Sequence, residues 1–141
     1  MEIKVVFGKT AVAAAFAALV SPAALAAGFD GQHNLVCATT DVVACADGLG
    51  CAEARASVFE LPDFMYVDFK NKRVFARSAD AQNQVESPVR NLDVSEEALI
   101  IQGVENHQGW TLWVDRNSGR MTTSVSGGEA NYVIFGVCTA I

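Results

Sequence analysis

Gly109-Trp110-Thr111-Leu112-Trp113-Val114-Asp115, followed after Arg116-Asn117-Ser118-Gly119 by Arg120-Met121-Thr122-Thr123-Ser124-Val125, is the stretch that decides the fold. Apolar, β-branched and aromatic residues alternate with polar ones on both sides of a short turn, the period of a half-buried antiparallel hairpin. A four-residue loop sets Asp115 opposite Arg120, and side chains opposed across a hairpin share a face. Trp110, Leu112 and Val114 therefore join Met121, Thr123 and Val125 on a core face. Trp113, Asp115, Arg120, Thr122 and Ser124 take the other, which leaves a large ring in polar company.

An earlier segment repeats the arrangement: Tyr66-Val67-Asp68, four residues, then Arg73-Val74. Met65, Val67, Val74 and Ala76 share one side, and Phe64, Tyr66 and Phe75 lie beside Asp68, Arg73 and Arg77 on the other. The repeated Asp–Arg opposition admits two readings, a duplicated ligand site or an exposed ion pair that helps set hairpin register. The second is the plainer and is preferred; such a pair contributes on the order of a few tenths of a kcal/mol.

The same alternation runs through the rest of the chain. Strands are expected at 64–69, 73–77, 88–94, 98–105, 110–115, 120–125 and 131–139, with 34–38 and 41–45 adding one or two more. Turn residues at Glu96-Glu97, 106–109, 117–119 and 126–129 separate them. The helical candidate is 52–58, which stops before Pro62. Val133, Phe135 and Val137 alternate with Tyr132 and Ile134, so the last strand is apolar on both faces and is expected to be central. The rings on the two polar hairpin faces need an account as well. Cover by the segment up to Pro62 is preferred to an exposed binding patch. The fold class is all-β: a small antiparallel barrel or sandwich of about seven to nine strands.

The chain has 141 residues. Lys4 and Lys9, the apolar run 11–20, the break at Ser21-Pro22 and the small-x-small triplet Ala24-Leu25-Ala26 read as a secretory signal. The run is too short for the roughly 20 residues that cross a bilayer. Residues 1–26 are thus expected to be a signal peptide and 27–141 a single domain, periplasmic or secreted, with no membrane insertion once the signal is removed. Without the signal the formal charge moves from −6 to −7. That charge gives no general attraction to nucleic acid or to an anionic membrane surface. A domain of this size builds one core, which excludes a large multi-step enzyme.

The four cysteines, Cys37, Cys45, Cys51 and Cys138, all fall in the mature part. An even number in a small exported domain implies two disulfides. Cys45 with Cys51 and Cys37 with Cys138 is the preferred pairing, and Cys51 with Cys138 is a competitor. The spacings do not match paired thiolate ligands, and His33 and His107 have no partner at ligand spacing, so no metal is expected.

Motifs that carry chemistry are missing. Ser124-Val125-Ser126-Gly127-Gly128 lacks the nucleophile elbow and lies between strands. Glu96 and Glu97 are adjacent and point apart. The cluster Glu105-Asn106-His107-Gln108-Gly109 reads as a polar hairpin tip. No phosphate loop or dinucleotide fingerprint is present, so no catalytic residue and no cofactor is expected.

The early cysteines, Leu61-Pro62 with Phe64, the 109–115 strand with Gly119-Arg120, and Phe135-Gly136-Val137-Cys138 together resemble small exported proteins of Gram-negative bacteria that carry no assigned function. That resemblance covers most of the mature chain and implies no activity. A second, partial likeness is to the periplasmic C-type lysozyme inhibitors. Ser124-Val125-Ser126-Gly127 and Ala130-Asn131-Tyr132 look similar to their signature, but Gly128-Glu129 separates the halves and the expected Trp-containing strand is missing. This likeness implies a small disulfide-tied barrel.

The expected function is an exported, non-enzymatic binding module for a protein or envelope component, with Trp113, Asp115 and Arg120 as the candidate binding face. The alternatives are a carrier of a small apolar ligand inside a barrel, which needs about eight strands, and a lysozyme-inhibitor-like protein.

Overall fold

Nine strands follow one another in chain order: β1 (Leu35–Ala46), β2 (Gly50–Ala54), β3 (Phe64–Asp68), β4 (Arg73–Arg77), β5 (Gln84–Val94), β6 (Ala98–Glu105), β7 (Gln108–Asp115), β8 (Arg120–Ser126) and β9 (Ala130–Ala140). They come from a computed structural model that describes residues 28–78 and 84–141; the expected signal peptide lies outside the described residues. From β3 to β9 each strand pairs antiparallel with the next, and β1 pairs with both β3 and β9. The sheet therefore closes as an eight-stranded barrel, with β2 as an extra strand on its wall. Closure removes the exposed edges that an open meander of this length would leave.

The long first strand makes the closure. Leu35 to Ala38 pair with β3, while Val42 to Ala46 pair with β2 on the same edge. On its other edge β9 follows it from Leu35↔Ala140 to Ala46↔Ala130, with a register shift between Thr39 and Asp41. The residue inserted there, Thr40, is a bulge, and a bulge bends a strand and increases its twist. The expected pieces 34–38 and 41–45 are thus one bent strand.

Other expectations need correction. Residues 52–58 are not a helix: Ala52 to Ala54 belong to β2, and only Ala56–Phe59 turn, as a short 3-10 element. The Cys45–Cys51 disulfide lies on opposed residues of β1 and β2 and draws this segment into a hairpin. β5 starts at Gln84, not at 88, and carries Pro88 inside it. The proline is tolerated because the ladder from β5 to β6 begins only at Val89. The described part of the segment up to Pro62 does not cover the polar hairpin faces as a second layer: β1 is barrel wall and β2 pairs beside it. Phe64 is 48% exposed, Phe135 40% and Trp113 36%, so those rings stay partly open to solvent.

The hairpin register is as read from the sequence. Leu112 faces Thr123 and Val114 faces Met121, and all four are buried inside the barrel. The core gathers Leu35, Val67, Leu99, Ile101, Leu112, Val114 and Ile134 with the Cys37–Cys138 bridge. Those two cysteines are opposed on β1 and β9.

The two ends of the barrel differ. At one, the buried Phe29 forms a plug. The Arg116 side chain clamps it, donating from Nε to the Phe29 carbonyl at 2.7 Å and from Nη1 to the Ser95 carbonyl. Gly119 is required beside it: its φ is +71°, and a Cβ there would stand 2.6 Å from the Cys138 carbonyl oxygen and 2.9 Å from the Phe29 ring. At the other end, reached by the 106–107 and 127–129 turns, Trp110 lies at the wall and no described side chain closes the interior as Phe29 does.

Candidate functional site

That second end holds an apolar cavity of about 180 Å³, partly open to solvent, lined by Leu61, Pro62, Met65, Val74, Ala76, Val85, Ser87, Glu105, Gln108, Trp110, Leu112, Thr123, Val125 and Ile134. The cause lies in side-chain size. Three of the inward side chains that line it, Ala76 on β4, Ser87 on β5 and Thr123 on β8, are small, and the Trp110 ring lies over Gly103 on β6. In the layer toward the plug the inward positions hold Leu35, Val67, Leu99 and Val114, which are fully buried. Leu61 and Pro62, just after the 3-10 turn, form part of the rim.

Trp110 is the large side chain of the mouth. It faces Gly103 across β6 and β7, and a Cβ on Gly103 would fall 2.2 Å from the ring, so only glycine lets the indole lie flat against this strand. The ring N–H donates to Ser87 Oγ at 2.8 Å, and Ser87 Oγ lies 3.4 Å from the Val104 carbonyl oxygen. At the rim, Gln108 Nε2 donates to the Gly127 carbonyl at 2.9 Å, joining two turns. The walls are thus mainly apolar; Trp110, Ser87 and Gln108 are tied to fixed partners, while Glu105 and Thr123 also line the space. Mainly apolar walls with a few placed polar groups are usual for small-molecule sites.

Trp113, Asp115 and Arg120 lie on the outer wall, away from the cavity. Trp113 stands level with Thr122 and Phe135 on the neighbouring strands. Arg120 is opposed to Val137 on β9. Trp113, Phe135, Val137 and Arg120 together line a shallow outer groove. Asp115 does not face it as a free carboxylate. Its Oδ1 accepts the Asn117 and Ser118 N–H groups at 2.9 and 2.8 Å. The Ser118 N–H holds its carboxyl below the usual range, helped by the charge of Arg120. Asp68 repeats this pattern, accepting from the Asn71 backbone and side chain, and the Asn71 side chain is the main cause of its lowered pKa.

The expected Asp–Arg ion pairs are therefore not made. Asp68 and Arg73 are opposed in register, but Arg73 pairs with Glu86 on the next strand. Among the described residues Asp115 and Arg120 form no ion pair. The carboxylates cap their own turns, where two N–H donors are closer than any guanidinium. Glu105 to Gly109 is a hairpin tip as read: Asn106 and His107 take φ of 47° and 65°, the left-handed pair of a two-residue turn. Ser124 to Ser126 end β8, with no helix behind them.

Sequence reasoning missed two features. The outward Phe135 and Val137 join Trp113, and the two-sided apolar pattern of the last strand was their signal. The cavity had a weaker one: small residues, Ala76, Ser87 and Thr123, at inward positions of three strands. Among the described residues no group of three or more His, Cys, Asp or Glu side chains is arranged to hold a metal ion, and no helix is long and apolar enough to cross a membrane. The two disulfides are compatible with an oxidising compartment. No protein-family model and no curated protein sequence matches this chain.

Proposed function

We propose that this protein is a non-enzymatic binding barrel, periplasmic or secreted, which takes up a small apolar molecule in its mouth. The supporting observation is the apolar cavity of about 180 Å³ at the unplugged end. Its size is close to the roughly 150 Å³ cavity that stays dry and accepts benzene in another protein. A void of this kind costs the fold packing energy, which an occupant returns. Export and the disulfides suit a module that must persist outside the cytoplasm.

The two tryptophans supply the test, because Trp110 lines the cavity and Trp113 lies on the outer wall. Iodobenzene quenches indole fluorescence on contact and has the size of the cavity. Titrated into Trp113→Phe, it is expected to quench the remaining Trp110 saturably and to raise Tm. In Trp110→Phe the Trp113 signal is expected to fall only linearly. Absence of saturable quenching and of any rise in Tm in both variants would overturn the reading.

The second reading, an interaction module for a protein or envelope component, is favoured by the outer groove, where Trp113, Phe135 and Val137 are 36%, 40% and 50% exposed. Exposed aromatics beside a guanidinium are the composition of interface anchors. Here Arg120 and Trp113 carry the reading, and Asp115 serves the turn.

A further inference from the structure

Among the described residues the cavity lining holds one buried hydroxyl without a good partner, while the Glu105 carboxylate that also lines it is partly exposed. Thr123 lies on an inward position of β8, lines the cavity and is only 4% exposed. Its hydroxyl proton has a single acceptor, the Met121 sulfur, at 3.8 Å. A thioether is a weak acceptor. Ser87, the other buried hydroxyl of the mouth, differs: it accepts the Trp110 ring N–H at 2.8 Å and lies near the Val104 carbonyl oxygen. The Gln108 amide at the rim is likewise tied to Gly127. A valine at 123 would have nearly the shape of threonine without a buried, poorly used donor.

We infer that the ligand of this barrel is a neutral, single-ring or short-chain apolar molecule bearing one carbonyl oxygen, and that the Thr123 hydroxyl donates to that oxygen. This inference rests on the reading of the mouth as a small-molecule site. The ligand is neutral because the lining is almost wholly apolar and desolvating a charge in it is costly, and the Glu105 carboxylate, partly exposed in the lining, repels an anion. It bears an acceptor because the group to be satisfied is a proton donor, and one acceptor because the other mouth donors, Trp110 Nε1 and Gln108 Nε2, are already paired. The size follows from the cavity volume of about 180 Å³.

Ethylbenzene and acetophenone test it, since they share a skeleton and differ by a carbonyl oxygen. Affinities are measured by calorimetry or by displacement of iodobenzene, on the native protein, Thr123→Val and Thr123→Ser. Thr123→Val is expected to weaken acetophenone about tenfold, the scale of one hydrogen bond lost from a buried site, while ethylbenzene binds as before or slightly tighter. Thr123→Ser, which keeps the hydroxyl, is expected to keep the native preference. If neither compound binds the native protein, the cavity reading itself falls. If ethylbenzene binds but Thr123→Val weakens both compounds equally, or neither, the role of Thr123 falls and the cavity reading stands.

Discussion

The two ends of the barrel are built from the same strands with the same alternation, yet one is plugged and the other hollow. At the plugged end Phe29 is buried in one cluster with Leu35, Leu99 and Val114, is tied by Arg116 to the 94–97 turn, and lies beside Gly119, whose carbonyl accepts the Cys138 N–H of β9. At the mouth the inward positions include the small Ala76, Ser87 and Thr123, and a cavity of about 180 Å³ remains. Alternation decides which side chains enter a barrel. Their size, layer by layer, decides whether the interior supports the fold or receives something. The plugged end stabilises the molecule, and the mouth is the part whose packing is left incomplete.

The largest expected difference between the ends comes from the disulfides. Cys37–Cys138 lies inside the barrel toward the plug and spans 101 residues, whereas Cys45–Cys51 lies in the β1–β2 hairpin toward the mouth and spans 6. Constraining the unfolded chain over the longer loop is worth about 4 to 5 kcal/mol, and over the shorter about 2 kcal/mol. Cys37→Ser with Cys138→Ser should therefore lower the urea midpoint far more than Cys45→Ser with Cys51→Ser. Equal midpoints would mean that the plugged end does not carry the stability assigned to it.

Next in size is the plug itself. Phe29→Ala should cost about 3 kcal/mol, because it opens a cavity among residues that are already close-packed. Leu61→Ala, at the rim of a space that already exists, should cost only about 1 kcal/mol and should admit larger guests. Chemical unfolding of the two variants, with and without iodobenzene, compares them directly. A Leu61→Ala loss as large as that of Phe29→Ala would show the mouth to be as tightly packed as the plug.

Much of this fold can be read from the sequence, because alternation in the 109–125 hairpin fixes both the strands and their inward residues. Leu112, Val114, Met121 and Thr123 are buried as that pattern requires. The even cysteine count implies two disulfides but leaves Cys51–Cys138 as a competitor; the pairing formed is the preferred one. What could not be read depends on long-range closure. The preferred Cys37–Cys138 pairing already links the first and last strands, but the bulge at Thr40 and the full ladder of β1 with β9 join residues about a hundred positions apart, and no local pattern records that register. Ala-rich 52–54 looked helical because helix propensity is local, while the partner that makes it a strand lies in β1. The plug was missed because Phe29 stands alone next to the signal region, with no periodicity around it. The polar faces misled for a different reason: Asp68 and Asp115 sit opposite arginines, but their own turns offer N–H donors nearer at hand.

Gly103 sharpens the comparison at the mouth. Gly103→Ala would place a methyl group 2.2 Å from the Trp110 ring, so the indole must leave its place and its bond to Ser87. A cost of about 2 kcal/mol is expected, the usual scale of overpacking a fitted site. In a Trp113→Phe background the Trp110 emission should shift to the red, and iodobenzene binding should be lost. Gly109→Ala on the neighbouring strand, where nothing lies within 4 Å of the added carbon, should change neither. A Gly103→Ala protein that still binds iodobenzene would place the guest elsewhere than against Trp110.

The smallest expected effect is a pH dependence confined to the plugged end. Asp30, next to Phe29, accepts the Gln32 and His33 N–H groups at 2.8 and 3.0 Å through one oxygen, and meets His33 Nδ1 at 2.9 Å with the other. The His33 N–H, followed by that of Gln32 and by the imidazole, lowers its pKa from 3.8 to about 2. A carboxylate whose folded pKa is depressed stabilises the fold above its unfolded value, and the contribution is lost as pH falls through the folded one. The turn that carries Phe29 should therefore hold at pH 4 and loosen as pH approaches 2, while β7 near the mouth stays as it was. Carbon-detected titration of the Asp30 carboxyl should give a midpoint near 2 in the native protein. In His33→Ala, which keeps the backbone donors but removes the imidazole, it should lie only part of the way back to 3.8. Hydrogen exchange at Gln32 and His33 should quicken over the same pH range, ahead of Thr111 and Leu112 on β7. A native midpoint at 3.8 would mean that the turn is not formed in solution and that Phe29 is held by Arg116 and its apolar contacts alone.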